Sequence, residues 1–179
     1  MKLRVGNWLV NKRSGPSSTA NVGAYGLLVK ADPSTVYQVP FVAQKHINMC
    51  GEACVVMLQK FKGAPVSINM NVNPRGLSEG GDGVGELANQ HGLRNHYFQG
   101  DTNNLTSKKI ADALDNYGPL ICAGEYARFI GKRFGHFIVV TGIHGNLVFI
   151  NDPWHGSSRA KPVDRFAPKL NDTWFANIN

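Results

Sequence analysis

Apolar residues recur at helical spacing from Met49 onward. The positions that share this spacing are Met49, Ala53, Val56, Met57 and Phe61. Steps of three and four residues place side chains on one face of an α-helix, so a helix is predicted to run to about Lys62. Gly63 and Pro65 are typical of residues that end a helix, and Asn48 is a typical N-cap residue at its start.

The chain beyond this helix has the turn signals of a loop, followed by helical and extended patterns. Thr106 is typical of a helix start, and Gly118-Pro119 is typical of a helix end. The elements predicted here are a loop over residues 66–82, a short helix over 84–91, a strand over 95–99 and a longer helix over 105–117. Helices therefore dominate the middle of the chain.

The last third of the chain has the composition and short apolar runs of β-strands. His144-Gly145-Asn146 fits a hairpin turn between the second and third of these runs. The strands predicted here cover residues 120–124, 136–143 and 147–150. Because helices precede strands, the sequence predicts an α+β fold in which a helical part packs on an antiparallel sheet.

The first part of the chain is interrupted by a Ser/Gly/Pro-rich break over residues 14–19. A chain of 179 residues can bury a sizeable core within one domain, without disulfides or a metal to hold it together. The sequence therefore predicts a single compact unit. It consists of an N-terminal arm or edge strand over residues 1–35 and the main domain over residues 36–179.

The chain is basic, with 19 Lys and Arg against 12 Asp and Glu and a formal net charge of +7. A basic protein can bind nucleic acid or another anionic partner. Here the basic residues are scattered singly or in pairs, and no long basic run or aromatic stripe accompanies them. The pattern therefore disfavours nucleic acid as the main partner.

The three cysteines cannot all form disulfides with one another. Cys50 and Cys54 lie one helical turn apart, where helix geometry aims their side chains poorly for a disulfide, so a reducing compartment is predicted. The N-terminus lacks the apolar core of a Sec signal, and the most apolar stretch, residues 137–140, is far shorter than the roughly 18–20 residues of a membrane span. These features predict a soluble protein.

Cys50 falls in the first turn of the predicted helix. A helix N-terminus stabilises negative charge because its N–H groups are unpaired, and the thiolate is the nucleophilic form of cysteine. The small side chains of Gly51 and Ala53 would let a substrate carbonyl approach the sulfur. Cys50 is therefore a candidate nucleophile, with a buried structural thiol as the alternative.

Gln44 lies six residues before Cys50. An amide donor at this position can stabilise an oxyanion together with the backbone N–H of Cys50. A surface glutamine without a catalytic role is the alternative, so the prediction depends on the joint spacing of the two residues.

His136 begins a strongly apolar strand and is the candidate base. Asp152 follows sixteen residues later, at the end of the next predicted strand, where the return of a hairpin would bring it beside His136. A carboxylate there would orient the imidazole and stabilise its charged form, although Asn151 could orient it instead. His46 is a rival base because it is close to Cys50 in sequence. The histidines without a comparable position are His91, His96 and His155, and His144 is predicted to be solvated.

These residues together form a recognisable pattern. It comprises Gln44, then Cys50-Gly51-Glu52-Ala53-Cys54, then Gly135-His136-Phe137-Ile138-Val139-Val140, then Asn151-Asp152-Pro153. Over about residues 38–156 the chain resembles the papain-like cysteine peptidases. The most similar branch is the bacterial one, which includes the double-glycine (bacteriocin-leader) peptidases and secreted effector proteases.

The resemblance implies a papain-like domain over residues 36–179. It also implies that Cys50 is the nucleophile, His136 the general base and acid, Asp152 the orienting residue and Gln44 the oxyanion donor. No metal and no organic cofactor is implied.

The resemblance further implies a cysteine endopeptidase that cleaves a protein substrate. The size, positive charge, reducing-type cysteines and missing signal resemble a bacterial effector or antibacterial toxin domain. Such a domain is exported by specialised secretion machinery, acts in the cytoplasm of a target cell and has a cognate immunity or inhibitor protein. The alternatives are an amide hydrolase or acyltransferase that uses the same triad, such as a deamidase, transglutaminase or cell-wall amidase, and an inert binding module.

Overall fold

The computed structural model describes most of the second half of the chain and a central part of the first half. The described residues are 3–5, 8–10, 21–22, 28–29, 33–66, 68–70, 105–129 and 132–176. Side chains are described over residues 33–66, 68–70, 105–124 and 135–170.

The helices and strands of the described residues have the following bounds. The helices are α1 (Cys50–Lys62), α2 (Ser107–Tyr117) and α3 (Val163–Phe166), and a 3-10 turn covers Ala167–Lys169. The first five strands are β1 (Leu3–Val5), β2 (Trp8–Val10), β3 (Asn21–Val22), β4 (Leu28–Val29) and β5 (Ser34–Val36). The later strands are β6 (Leu120–Phe129), β7 (Lys132–His144), β8 (Leu147–Asp152), β9 (Gly156–Pro162) and β10 (Leu170–Ala176).

Six of the described strands form one antiparallel sheet in the order β10-β6-β7-β8-β9, with β5 paired to β7 beyond the end of β6. Strand β7 is central, since it pairs with β6 and β5 on one side and with β8 on the other. Short turns join β7 to β8 and β8 to β9, as antiparallel neighbours allow. The two residues proposed as base and orienter are therefore on adjacent strands.

Both faces of this sheet are covered, which explains the nearly continuous apolar runs in β6 and β7. Alternate side chains along these strands point to opposite faces. One face packs on α1 through a core of Cys54, Val55, Met57, Leu58, Ile121, Ala123, Phe137 and Val139. The other face packs on α2 and the segment that follows β9, and its central residues include Ile110, Leu114, Leu120, Ile138, Val140, Ile150 and Phe166.

Helix α1 is enclosed by the rest of the domain along most of its length, since every residue from Gly51 to Gln59 is buried. A helix that is apolar on all sides belongs in a core rather than on a surface. Its C-terminus is closed by Gly63, whose φ of 70° is the left-handed conformation that glycine adopts without strain. Burial of α1 fixes the position of Cys50 at its first turn.

Gly142 marks the point where β5 joins the sheet, next to an irregularity in the β7–β8 register. A Cβ atom at this position would lie 2.6 Å from both the carbonyl oxygen of Thr35 and the Cα of Val36. Real atoms do not approach so closely, so any side chain at residue 142 would push β5 away from β7.

Most sequence predictions in the described part of the chain are confirmed. Helices α1 and α2 have nearly the predicted bounds, and Thr106 caps α2 by accepting a hydrogen bond from the backbone N–H of Lys109. The three predicted strands are present, and each is longer than predicted. The helix over 84–91, the strand over 95–99 and most of the loop over 66–82 lie outside the described residues.

The prediction of Asn48 as the N-cap of α1 is wrong. Met49 occupies that position, with φ −105° and ψ 18°, and no side chain caps the helix. Met49 is almost fully buried, and its N–H donates to the carbonyl of His46. Burial of an apolar side chain therefore fixes the start of α1 where a polar cap was expected.

The predicted N-terminal arm falls mainly outside the described residues. Within it, β1 pairs with β2 and β3 pairs with β4, each antiparallel. The division into an arm over 1–35 and a domain over 36–179 stays a prediction. Among the described residues, no helix is both long and apolar enough to cross a bilayer.

Candidate active site

Cys50 is the first residue of α1 and is partly buried. The first N–H groups of a helix have no partner within the helix, and here no capping side chain occupies them. They point toward the start of the helix, where Cys50 lies. The sequence prediction of Cys50 in a first helical turn is confirmed.

His136 and Asp152 form a buried ion pair on adjacent strands. Nε2 of His136 lies 2.8 Å from Oδ1 of Asp152, and their side chains are 2% and 5% exposed. The β7–β8 register pairs Val139 with Asn151, which brings the start of β7 next to the end of β8. The hairpin return expected from the sequence therefore places the two side chains in contact.

His136 is held in its charged form by its neighbours. Burial alone would lower the pKa of His136, but hydrogen bonds to Asp152 and Cys50 outweigh burial and raise this pKa to about 9. Since Nε2 is bound to Asp152, Nδ1 is the ring nitrogen left for the sulfur of Cys50. The sulfur of Cys50 and the carboxylate of Asp152 thus both favour the charged form of His136.

Asp152 is held in its anionic form in spite of its burial. Burial would raise the pKa of this carboxyl group, but hydrogen bonds from His136, His155 and the backbone of Trp154 outweigh it and hold the pKa well below its usual range. An anionic carboxylate fixes the imidazole tautomer and favours the imidazolium.

The side-chain amide of Asn151 binds groups other than the imidazole of His136. Its Nδ2 donates to the carbonyl of Val39, and its Oδ1 accepts from the backbone N–H of Ser158. The Asn151 amide therefore joins the segment before Gln44 to strands β8 and β9. Of the two candidates that the sequence left open, Asp152 is the residue beside His136.

Gln44 lies in the loop before α1 and is fixed through backbone and side chain. Its N–H donates to the carbonyl of Pro153, and its Nε2 donates to the carbonyls of His46 and Ile47 at 3.0 and 3.2 Å. Its Oε1 is buried, and no described residue donates a hydrogen bond to it. Both amide hydrogens are thus directed at loop carbonyls, an arrangement that the residue spacing did not predict.

A cavity of about 390 Å³ adjoins this loop. It is lined by Ala43, Gln44, Lys45, His46, Ile47, Pro153 and Trp154. Gln44 and the turn that follows Asp152 are therefore two walls of one depression.

The sequence reasoning missed His155, which was given no role. Its Nδ1 lies 2.8 Å from Oδ2 of Asp152, so the carboxylate binds a histidine on each oxygen. The sequence feature that could have indicated this role is Asp152-Pro153. An Asp side chain often accepts hydrogen bonds from the backbone N–H groups two and three residues later, which folds the following turn back toward the carboxylate.

The other histidines have different positions. His46 contributes its backbone carbonyl to Met49 and Gln44 and its side chain to the cavity wall, and it has no recorded contact with Cys50. His144 is exposed and binds the hydroxyl of Ser34. His91 and His96 lie outside the described residues.

Three side chains at the site have atoms of the type that bind metals. Among the described residues, His136, Asp152 and His155 form the one such cluster, with ligand atoms all within 4.8 Å of one another. Each of the two histidines is already hydrogen-bonded to the carboxylate at 2.8 Å. A cation bound there would displace those hydrogen bonds and separate His136 from Asp152.

We expect iodoacetamide to alkylate Cys50 alone in the native protein. Cys54 and Cys122 are fully buried, and burial raises the pKa of both thiols well above the usual value. Because their reaction requires opening of the core, they should be modified at least about 100-fold more slowly. Peptide mapping by mass spectrometry over time measures the three rates. Unfolding in guanidinium should make them similar, and equal rates in the native protein would contradict the expectation.

A family model described as the papain-like cysteine protease AvrRpt2 matches residues 33–171, which is well over half of the chain. A comparison with curated proteins gives no match.

Three solved structures of peptidases have a similar fold. A double-glycine motif protease from an AMS/PCAT transporter, solved with a leader peptide, is 17% identical with a TM-score of 0.54 over 80% of this chain and 94% of that one. The peptidase domain of Streptococcus ComA, a bifunctional ABC transporter of a quorum-sensing pathway, is 20% identical with a TM-score of 0.55 over 79% and 100%. A protein described as a C39-like peptidase from Bacillus anthracis is 13% identical with a TM-score of 0.59 over 83% and 98%.

These likenesses confirm the α+β papain-like fold that the sequence predicted. They also confirm the resemblance to the double-glycine branch at the level of fold. Because the family model spans most of the sequence, the chain belongs to the AvrRpt2 family of papain-like cysteine proteases and is a hydrolase that acts on protein.

Proposed function

We propose that the chain is a cysteine endopeptidase whose catalytic triad is Cys50, His136 and Asp152, with Gln44 in the oxyanion hole. The observation that supports this most strongly is the buried His136–Asp152 pair at 2.8 Å, linked to the sulfur at the start of α1. A nucleophile, a base and a residue that orients the base are the three parts that covalent acyl transfer requires.

In the resting enzyme we assign the proton shared by Cys50 and His136 to the imidazole. The pKa of about 9 for His136 keeps its ring protonated at neutral pH, and the uncapped first turn of α1 favours the thiolate. Nδ1–H of His136 then faces the sulfur, while Nε2–H donates to Asp152.

The thiolate attacks the carbonyl carbon of a peptide bond and forms a tetrahedral oxyanion. The backbone N–H of Cys50 and the side-chain amide of Gln44 are the proposed donors to this oxygen. Because both Gln44 amide hydrogens are bound to loop carbonyls, one bond must be exchanged. The bond to Ile47, at 3.2 Å, is the longer of the two and is partly exposed, so we assign the exchange to it.

Collapse of the oxyanion breaks the C–N bond, and Nδ1–H of His136 protonates the departing amine. The acyl group remains on Cys50 as a thioester. The neutral imidazole then takes a proton from water, whose oxygen attacks the thioester, and the second collapse releases the carboxylic acid and restores the thiolate.

The substrate is proposed to be a protein of a target cell, reached after export by a specialised secretion system. All three cysteines are free, which suits action in a reducing compartment. A cognate immunity or inhibitor protein is the proposed partner. The cavity lined by Gln44 and Trp154 is the surface that we propose this partner covers.

The mass of the products separates the endopeptidase from its rivals. Purified protein is incubated with a peptide library prepared from a proteome, and products are identified by mass spectrometry. An endopeptidase yields two fragments whose summed mass equals that of the peptide plus one water. A deamidase adds about one dalton to the mass of an intact peptide, and a transferase joins an acyl group to an amine. Intact peptides with mass shifts would contradict the endopeptidase, and unchanged peptides would favour a binding module.

Gln44→Ala is expected to reduce kcat by roughly 10²–10³-fold with little change in KM, because an oxyanion donor acts mainly on the transition state. Steady-state kinetics on a cleaved peptide measures both constants. Gln38→Ala, which removes an exposed amide from the same segment, is the matched control and should retain activity. A kcat of wild-type size in Gln44→Ala would remove Gln44 from the mechanism.

A further inference from the structure

We infer that His155 is a positioning residue for the proposed triad. Its ring holds one oxygen of Asp152, so that the other oxygen remains directed at His136. The inference rests on the proposed roles of His136 and Asp152, and it adds a second histidine that does not itself touch the sulfur.

The two oxygens of Asp152 have different partners. Oδ1 accepts from Nε2 of His136 at 2.8 Å and from the backbone N–H groups of Trp154 and His155 at 3.0 and 3.1 Å. Oδ2 accepts from Nδ1 of His155 at 2.8 Å, and this is its recorded partner among the described residues. Backbone N–H groups thus fix Oδ1 next to His136, and the side chain of His155 fixes Oδ2.

A carboxylate can rotate about its last side-chain bond with little intrinsic preference. A partial rotation of the Asp152 carboxylate would move Oδ1 away from Nε2 of His136 and weaken the hydrogen bond between them. With Nδ1 of His155 on Oδ2, rotation must also break a charge-assisted hydrogen bond, which is among the stronger kinds in proteins. The side chain of His155 therefore adds to the two backbone N–H groups in holding the carboxylate in one orientation.

The position of His155 is defined by its neighbours. Its ring stacks on that of Trp154, with centroids 6.3 Å apart and an interplanar angle of 25°, and lies edge-on to His136 at 6.4 Å. Arg159 donates to its backbone carbonyl at 3.2 Å. The side chain is 41% exposed while that of Asp152 is 5% exposed, so the His155 ring binds the carboxylate from the solvent side.

Two substitutions separate the hydrogen bond from the ring. In His155→Asn the side-chain Nδ2 replaces Nδ1 at the same number of bonds from the backbone, so the donor is kept and the stacked ring is lost. In His155→Phe the ring and its stacking are kept, and the donor is lost. His144→Phe, at the far end of β7, is the matched control for loss of an exposed histidine.

The expected kinetic result is a fall in kcat of about 10-fold to 100-fold in His155→Phe with KM unchanged, because misalignment of a catalytic group acts on the transition state. His155→Asn should restore most of the lost rate, and His144→Phe should behave as the wild type. A wild-type kcat in His155→Phe, or equal losses in His155→Phe and His155→Asn, would overturn the inference.

A second readout needs no substrate. In ¹H–¹⁵N spectra of histidine-labelled protein, the Nε2–H of His136 should give one sharp, slowly exchanging signal in the wild type and in His155→Asn. In His155→Phe this signal should broaden or exchange faster, because Oδ2 of Asp152 loses its hydrogen bond and the carboxylate is held less firmly. An unchanged signal in His155→Phe would contradict the positioning role.

The two readouts also separate this inference from the proposed function. If the wild type cleaves peptides and His155→Phe matches it in rate and spectrum, the inference fails and the triad stands. If the wild type cleaves nothing but the spectra change as expected, the positioning of Asp152 by His155 is supported and the proposed reaction fails.

Discussion

Cys50→Ala is expected to abolish peptide cleavage, with kcat/KM reduced by on the order of 10⁴-fold or more, as is usual for loss of a nucleophile. The thioester cannot form without the sulfur, and neither His136 nor Gln44 can substitute for it. Steady-state kinetics of the purified variant on a cleaved peptide measures the loss.

The matched control for this substitution is Cys54→Ala, one helical turn later in α1. Cys54 is fully buried and contributes to the core, so its loss should lower the free energy of unfolding slightly and leave the rate near that of the wild type. Thermal unfolding of both variants establishes that each is folded. Residual turnover above background in folded Cys50→Ala would exclude Cys50 as the nucleophile.

His136→Gln is expected to reduce kcat by at least about 10³-fold, because the substitution removes both the acid and the base of the reaction. Glutamine keeps a donor toward Asp152, and His155 with two backbone N–H groups still binds the carboxylate. The variant should therefore fold. The kcat of a cleaved peptide, measured alongside thermal unfolding, tests the expectation.

The same residue predicts how activity depends on pH. The first step requires imidazolium at His136, whose pKa is raised to about 9, so kcat/KM should fall tenfold per pH unit above about pH 9. In Asp152→Asn the hydrogen bond that raises this pKa is weakened, so the fall should begin at lower pH. If the Asp152→Asn profile has the same upper limb as the wild type, Asp152 does not control the charge of His136.

Stability should follow the same titration. A folded-state pKa above the unfolded value of 6.5 means that His136 stabilises the fold fully below about pH 6.5 and loses this contribution as pH rises through about 9. For Asp152 the direction is reversed, since its folded-state pKa is lowered, and its contribution is lost as the pH falls below the usual carboxyl range. Both residues therefore contribute fully to stability between the usual carboxyl range and about pH 6.5.

The parts of the site that could be predicted from the sequence are those fixed by local periodicity. The spacing of apolar residues after Met49 placed Cys50 in a first helical turn, and the hairpin between β7 and β8 brought Asp152 to His136. Both depend on short-range geometry, namely one helix and one antiparallel turn. The fold class followed from the order of these elements.

The parts that could not be predicted depend on contacts between distant segments or on loop conformation. The side-chain amide of Gln44 is directed by the turn over residues 45–48. Its backbone N–H is held by the carbonyl of Pro153, more than one hundred residues away. The sequence leaves Asn151 as a possible orienting residue, but its amide is hydrogen-bonded to the backbone of Val39 and Ser158. His155 reaches Asp152 through a turn of three residues. The conformation of such a turn cannot be inferred from strand alternation or from helical spacing.

The measurement that tests the central claim most directly is proteome-wide mapping of protein N-termini in cells that express the wild type or Cys50→Ala at equal levels. The account predicts new N-termini at a restricted set of sites with the wild type and none of them with Cys50→Ala. The same new N-termini in both samples, or none in either while a substrate protein gains about one dalton with the wild type, would contradict a Cys50-dependent endopeptidase.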